Sequence, residues 1–191
     1  GVDEQGWLDY GKIADMAAIL KPKMIIAGAS AYPRHINWPE LKDIAEYYKS
    51  YLMVDMAHYS GLIAGEAYPN PVPDADFITS TTHKTLRGPR GGIILWNDPD
   101  YSKKINSAIF PGTQGGPLMN IIAAKAQAFL EASEQEFKHY VGGVIHHARA
   151  MADVFMAKGF RVQTGGTDSH IVLLNLADKK YSGRVAADML E

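Results

Sequence analysis

Short apolar runs alternate with amphipathic helical patterns along the chain, and this alternation limits the possible folds more than any other feature. Four runs predict strands, at residues 24–27, 51–54, 77–79 and 92–96. Helical spacing predicts one helix over residues 8–20 and a second that begins after Asn37, a favourable capping residue. Strands that alternate with helices are typical of an α/β fold with a mostly parallel sheet.

The second half of the chain predicts longer helices. Residues 117–138 and 141–158 carry helical patterns that are too long for strands. Further strands are predicted at 160–163 and 170–176, and Ser182 is placed to cap a last helix. Because a domain rarely ends inside its own helix, and because the chain begins with Gly and not Met, we expect it to be part of a longer protein.

Composition excludes several classes of protein. The 191 residues include no cysteine, which excludes disulfides, thiolate metal sites and cysteine nucleophiles. The formal net charge of −2 provides no basic excess for binding nucleic acid. No apolar run approaches the roughly 18 residues of a membrane span. Hydrophobic residues make up 47% of the chain, which is enough for a globular core.

Polar side chains gather where the predicted strands end. Ser30 follows the first strand, Asp55 and His58 follow the second, and the polar stretch 80–84 follows the third. Ligands of open α/β sheets bind outside the carboxyl ends of the strands, so these residues are candidates for one shared site. Asp55 could instead cap the next turn, and His58 could be structural. We expect no metal site, because no third ligand accompanies these two at matching spacing.

The combination of an acid and a lysine on neighbouring strand ends matches the needs of pyridoxal phosphate (PLP). This cofactor requires a lysine that forms a Schiff base, an acid against its pyridine nitrogen, and a cradle for its phosphate. Lys84 lies among hydroxyls and backbone N–H groups that could hold a phosphate. Positive charge at His83, Arg87 and Arg90 would help to keep the amine of Lys84 partly neutral. The alternative is an ordinary solvated lysine in a loop.

The stretches around these residues resemble the serine hydroxymethyltransferases. Residues 54–58 read Val-Asp-Met-Ala-His, and residues 81–92 read Thr-Thr-His-Lys-Thr-Leu-Arg-Gly-Pro-Arg-Gly-Gly. The segments 27–32, 68–73, 110–119 and 165–168 agree as well, and all of them follow the family order. A generic PLP enzyme would not share the stretch around Lys84.

The resemblance implies a fold and a domain organisation. The fold would be the three-layer α/β architecture of PLP-dependent transferases of fold type I, with a mostly parallel or mixed sheet. Residues 1–159 would belong to the large PLP-binding domain, and residues 160–191 would begin the small C-terminal domain. The parent protein would be a cytoplasmic enzyme, and activity is expected of that parent protein rather than of these 191 residues alone.

The resemblance also implies roles for individual residues. Lys84 would hold PLP as an aldimine, Asp55 would pair with the pyridine nitrogen, and Thr81 would lie beside the reacting substrate. At the cofactor ring, Ala57 and Ser30 would make contact and His58 would lie near the ring hydroxyl. His83 would contact the phosphate, and Arg90 would be a nearby cation. Gly115 and Gly116 would reach the phosphate of a neighbouring subunit.

The implied reaction interconverts serine and glycine and passes a one-carbon unit to or from tetrahydrofolate, which acts as a co-substrate. The protein would be a homodimer or tetramer with shared active sites, and neither nucleic acid nor membrane nor metal is expected as a partner. Ser169 stands where the family usually has Asn, in a segment on the folate side. Two alternatives remain open, namely a folate-independent aldolase for β-hydroxy amino acids and a non-catalytic assembly fragment.

Overall fold

A four-stranded sheet lies at the centre of the computed structural model, which describes residues 1–191. Its strands are β1 (Met24–Ala27), β2 (Tyr51–Asp55), β3 (Phe77–Thr81) and β4 (Gly92–Trp96), and they lie side by side in that order. β1, β2 and β3 run parallel, whereas β4 runs antiparallel to β3. The predicted α/β class with a mostly parallel sheet is confirmed. The carboxyl ends of the three parallel strands therefore meet at one edge.

Seven α-helices accompany the strands: α1 (Tyr10–Leu20), α2 (Trp38–Tyr47), α3 (Ser60–Ala64), α4 (Ser102–Ser107), α5 (Met119–Ala132), α6 (Gln135–Ala157) and α7 (Gly183–Leu190). A second, antiparallel pair joins β5 (Arg161–Val162) to β6 (Leu174–Asn175). None of the helices combines the length and the apolar character that crossing a bilayer requires.

Side-chain caps determine where the first two helices begin. Asn37 Oδ1 accepts a hydrogen bond from the backbone N–H of Glu40, and its Nδ2 donates to Glu40 Oε2 at 2.8 Å. This reciprocal pair confirms the predicted start of α2. Asp9 accepts from the backbone N–H of Lys12 at 2.9 Å, so α1 begins just after Asp9 and not at Leu8.

The break between the long helices differs from the prediction. α5 ends at Ala132 and α6 begins at Gln135, so the glycine pair 142–143 lies inside α6 and not at its start. Glycine weakens a helix by about 1 kcal/mol. Tertiary packing outweighs this cost, because Val141 and Ile145 are buried in the core on one face of the helix.

The predicted strands of the C-terminal part are shorter than expected. Only two residues of each predicted segment, 160–163 and 170–176, pair as β5 and β6. Between them, the side chains of Thr167 and Ser169 donate hydrogen bonds to the carbonyl of Pro33, at 3.1 and 3.2 Å. These bonds bind the segment to the first half of the chain instead of extending the small sheet.

The hydrophobic core packs α2, α3 and α6 against β2 and β3. Trp38 is 1% exposed and donates its indole N–H to the carbonyl of Pro69 at 2.9 Å. The rings of Tyr59 and Tyr68 stack with their centroids 4.5 Å apart. Since Tyr59 lies in the loop between β2 and α3, this packing anchors that loop on the core.

Candidate functional site

A cavity of about 330 Å³ lies at the carboxyl edge of β1 and β2. It is lined by Ile26, Ala27, Gly28, Ala29, Ser30, Asp55, Ala57, His58 and Lys84. Five of the residues predicted for the site thus come together here: Ser30, Asp55, Ala57, His58 and Lys84. A cavity of this size suits a small organic ligand.

Asp55 ends β2, and its side chain makes one hydrogen bond within the chain. Its Oδ1 accepts from the backbone N–H of Ala57 at 2.9 Å, so the capping role that the sequence left open is real. The side chain is exposed and forms no salt bridge. One carboxylate oxygen therefore remains for a ligand in the cavity.

Gly28 allows the first loop to approach the end of β2 closely. Its φ is +139°, and a Cβ at this position would lie 2.3 Å from the carbonyl oxygen of Asp55. Only glycine fits this approach without a shift of the backbone. A side chain here would push the loop of Ser30 away from Asp55 and change the shape of the cavity.

Lys84 lies in a turn that the buried Thr82 holds closed. The hydroxyl of Thr82 donates to the carbonyl of Pro89 at 2.5 Å, and its backbone N–H donates to the carbonyl of Gly91 at 3.0 Å. Lys84 itself is exposed, lines the cavity and forms no salt bridge. The turn thus presents an amine whose charge no carboxylate of the chain neutralises.

A second set of bonds joins this turn to α3. The hydroxyl of Thr85 donates to the carbonyl of His58 at 2.9 Å and accepts from the backbone N–H of Gly61 at 3.0 Å. A Cβ on Gly61 would lie 2.1 Å from the carbonyl oxygen of Thr85. The sequence analysis did not predict this clasp, meaning the pair of hydrogen bonds made by Thr85. The only signal for it in the sequence was the hydroxyl residue next to Lys84. The clasp sets the distance between the His58 loop and the Lys84 turn.

His58 is half-buried in the wall of the cavity, and its ring stacks on that of His170. The ring centroids are 6.2 Å apart and the planes differ by 13°. Burial lowers the pKa of His58, the cation of Lys84 lowers it further, and the carboxylate of Asp55 opposes both. Sequence reasoning did not single out His170, although it directly follows the Gly-Gly-Thr-Asp-Ser segment.

Two buried polar atoms next to the lysine turn lack hydrogen-bond partners. They are Oγ1 of Thr81 and Nδ1 of His83. Buried polar atoms in native proteins are nearly always paired, so an unpaired one requires an explanation. Neither residue lines the cavity wall, but both lie within three positions of Lys84 in the chain.

Several residues of the sequence prediction lie away from the cavity. The glycines at 115–116 are in an exposed loop before α5 with open space around them, and Arg90 is exposed outside the cavity lining. Arg87 was expected to supply positive charge near the amine. It turns to α6 instead, where its guanidinium lies 4.5 Å from the ring centre of Tyr140 and 5.5 Å from that of Phe137.

Ser169 is fully buried, with 0% of its surface exposed. Its hydroxyl donates to the carbonyl of Pro33 and accepts from the backbone N–H of Ile171, both at 3.2 Å. The hydroxyl is therefore engaged inside the chain. A ligand at this segment would have to be bound by other groups.

A larger groove of about 530 Å³ lies at the opposite end of the sheet, around Lys42, Asp76 and Asn97. Two polar side chains of this groove are engaged within the chain. Asp76 accepts from the backbone N–H of Leu52 at 2.7 Å, and the amide of Asn97 donates to two backbone carbonyls. We place the functional site at the carboxyl edge, because the predicted residues Asp55, His58 and Lys84 converge there, where open α/β sheets bind their ligands. No three His, Asp or Glu side chains are grouped so that they could hold a metal ion.

Comparison with known proteins identifies relatives over the whole chain. A family model described as serine hydroxymethyltransferase matches residues 1–191. The serine hydroxymethyltransferases of Paramagnetospirillum magneticum and Dichelobacter nodosus are each 53% identical to the chain over its full length. That of Rhodospirillum centenum is 55% identical over 96% of the chain. The chain spans 45%, 46% and 43% of these three proteins, which is less than half of their length.

Proposed function

The chain belongs to the serine hydroxymethyltransferase family, and from this premise we propose that it carries the PLP-binding part of a glycine hydroxymethyltransferase. The protein would interconvert serine and glycine and transfer a one-carbon unit to or from tetrahydrofolate. The observation that carries the proposal is the convergence of Asp55, His58 and Lys84 on one cavity. The aldolase and assembly alternatives have no observation in their favour.

The cavity fits PLP in its chemistry. It offers a carboxylate with an unengaged oxygen at Asp55 and an amine without a counter-ion at Lys84. The close approach of Gly28 to the carbonyl oxygen of Asp55 sets the spacing between the two loops that line the cavity. A phosphate near the lysine turn would supply His83 with the partner that its Nδ1 lacks.

Lys84 and Asp55 would do most of the chemical work of the chain. Lys84 would bind the aldehyde of PLP through Nζ, which must be unprotonated to react. Asp55 would keep a proton on the pyridine nitrogen, since an opposite charge favours the charged form. When bound, PLP would withdraw electrons from the α-carbon of the amino-acid substrate.

The other predicted residues would orient the cofactor and the substrate. Ala57 and Ser30 would contact the ring, His58 its hydroxyl and His83 the phosphate, while Thr81 would lie beside the substrate. Arg90 would add a positive charge near the site. These assignments are supported by the resemblance and, for Ser30, Ala57 and His58, by their place in the cavity wall.

We also propose that the parent protein is a cytoplasmic homo-oligomer, a dimer or tetramer, whose active sites combine residues of two subunits. Gly115 and Gly116 would reach the phosphate of the neighbouring site. The exposure of every residue from 111 to 120 supports this role, because the loop is free to contact another subunit. Residues 160–191 would begin the small C-terminal domain.

Absorbance spectroscopy tests the assignment of Lys84. We expect the purified protein to retain a visible band after incubation with PLP and dialysis, and we expect Lys84→Ala to lose it. Lys42→Ala is the matched control, because Lys42 lies in the groove at the opposite end of the sheet. Borohydride reduction followed by peptide mapping would show which lysine is modified. A band that persists in Lys84→Ala would overturn the assignment.

Folate dependence tests the reaction itself. Conversion of serine to glycine by the parent protein is measured with and without tetrahydrofolate. The proposed transferase requires tetrahydrofolate for rapid turnover, since it must pass on the one-carbon unit. Equal rates in both conditions would identify a folate-independent aldolase instead.

A further inference from the structure

We propose that His170 is a positioning residue for His58: its stacked ring holds the plane of the His58 imidazole where that imidazole lines the cavity. The functional meaning of this pair rests on the proposed function, in which His58 contacts the cofactor. The contact between the two rings rests on geometry alone, so the proposed function and the role of His170 can be disproved separately.

The rings of His58 and His170 form a parallel stack that a third ring supports. Their planes differ by 13°, and the edge of Tyr59 meets His170 with ring centroids 6.1 Å apart and a tilt of 71°. Tyr59 is fully buried, and its hydroxyl donates to the carbonyl of Tyr32 at 2.8 Å. His170 is therefore held between two consecutive residues of the loop after β2.

The backbone around His170 is anchored independently of His58. Thr167 and Ser169 both donate to the carbonyl of Pro33, and Ser169 also binds the backbone N–H of Ile171. On the same loop, Arg34 binds Asp168 at 3.1 Å. These bonds hold the backbone at residue 170 in place without any contribution from the ring contact with His58. The stack is thus imposed on His58 from a distant part of the chain.

The surroundings of His170 favour its neutral form. Its Nδ1 is buried without a partner, so protonation would bury an N–H group without an acceptor. Burial lowers the pKa of His170, and a charge on His58 lowers it further. His58 itself faces the cation of Lys84, which disfavours its charge, and the carboxylate of Asp55, which favours it. Tyr59, the other titratable group in the stack, stays protonated because burial raises its pKa to about 12.

The consequence concerns how His58 meets its ligand. A neutral imidazole offers one N–H donor and one lone pair, and both lie in the plane of the ring. If the ring could rotate, these groups would lose their alignment with a ligand in the cavity. If His58 were charged, it would repel the amine of Lys84. The parallel ring of His170 limits this rotation, and its bulk contributes to the burial of His58.

Histidine titration by NMR in the PLP-free protein tests the proposal, with PLP affinity as a second readout. His170→Ala removes the ring and admits water, so the pKa of His58 should rise toward its ordinary value of 6.5. His170→Phe keeps a flat ring of similar shape, so the pKa of His58 should remain low. We expect PLP affinity to fall by about tenfold in His170→Ala and to stay within about twofold in His170→Phe, by analogy with the loss seen when a residue that orients a metal ligand is removed.

A matched control and a second variant keep the test decisive. His35→Ala removes another histidine that packs on an aromatic ring, that of Tyr68, and should leave the titration of His58 unchanged. If His170→Ala does not fold, His58→Phe still tests the pair, because loss of the neighbouring charge should raise the pKa of His170. The proposal would be overturned if the titration of His58 were unchanged in His170→Ala, or if His170→Phe behaved like His170→Ala. It would also be overturned if the titration of His170 were unchanged in His58→Phe. Failure of the wild type to bind PLP would instead count against the proposed function and leave the titration result intact.

Discussion

At the scale of single residues, the candidate site depends on polar groups that the chain leaves available. Asp55 uses one oxygen to cap a turn and keeps the other for a ligand. Lys84 has no carboxylate partner, although the chain contains 21 acidic residues. Surface charges without partners are common, but Asp55 and Lys84 line one cavity at the carboxyl edge of the parallel strands. Conservative substitutions of these residues can separate their role in binding a ligand from their role in the structure.

Asp55→Asn should separate the charge of Asp55 from its capping bond. The amide oxygen can still accept from Ala57, so the free energy of unfolding should change by less than about 0.5 kcal/mol. PLP affinity should fall by about tenfold or more, because a nearby opposite charge contributes one to three pKa units to a cation. The pKa of His58 should fall further, since Asp55 is the group that raises it. Urea denaturation, PLP titration and histidine NMR measure these three effects.

The control for this change is Asp74→Asn, at the groove on the opposite end of the sheet. It removes the same charge far from the cavity and should leave PLP affinity unchanged. If Asp55→Asn binds PLP as tightly as the wild type, the pairing of Asp55 with the pyridine nitrogen is wrong.

At the scale of elements, short contacts between backbones hold the loops of the site together. α3 has only five residues, and the lysine turn packs directly on its first turn through Gly61. On the far side of the same turn, Arg87 adopts a positive φ of 60° and lies over the rings of Tyr140 and Phe137 on α6. The turn that carries Lys84 is thus held between two helices, α3 and α6.

Gly61→Ala should weaken this arrangement strongly. The added methyl group would overlap the backbone of Thr85, so we expect a loss of about 2–3 kcal/mol in the free energy of unfolding and weaker binding of PLP. Gly142→Ala is the matched control, because it adds the same methyl group to an exposed helical position with open space around it. That change should stabilise the protein by up to about 1 kcal/mol. Urea denaturation of both variants measures the difference, and a Gly61→Ala variant as stable as the wild type would contradict the overlap.

At the scale of the whole molecule, two segments more than 100 residues apart in the sequence meet beside the site. The loop after β1 binds the segment before β6 through the salt bridge of Arg34 with Asp168 and a hydrogen bond from Arg34 to Thr164 at 2.9 Å. This contact places His170 against His58. Two histidines with lowered pKa values therefore lie where distant parts of the chain join, and this makes the stability of the fold depend on pH.

The free energy of unfolding should decrease as the pH falls below about 6.5. Burial lowers the pKa of both His58 and His170 from 6.5 in the folded state. Between the folded values and 6.5, the unfolded chain binds more protons than the native state, so stability rises with pH across this window and is lost as the pH falls through it. Urea denaturation at several pH values measures the slope. His170→Phe should reduce the slope, and an equal slope in this variant would contradict the assignment.

Much of the local structure could be predicted from the sequence, whereas the connections between elements could not. β1 and β4 have the predicted bounds, and the Asn37 cap starts α2 as expected, because strand runs and capping signals are local. The break between α5 and α6 was placed wrongly, because burial of Val141 and Ile145 overrides the weak helix propensity of the glycines at 142–143. The short strands β5 and β6 were overestimated for a related reason. Bonds to Pro33 compete for the residues between them.

The sequence alone determined that the chain is an α/β protein with an acid, a histidine and a lysine at its strand ends, and the motifs around these residues indicated the family. These features depend on residue type and spacing, which are written in the chain. Only the tertiary structure decided that Arg87 turns away from the lysine, that Gly61 and Thr85 join two loops, and that His170 stacks on His58. Those contacts join residues far apart in the sequence. They form because the packed core brings distant segments together, and no local pattern specifies which segments will meet.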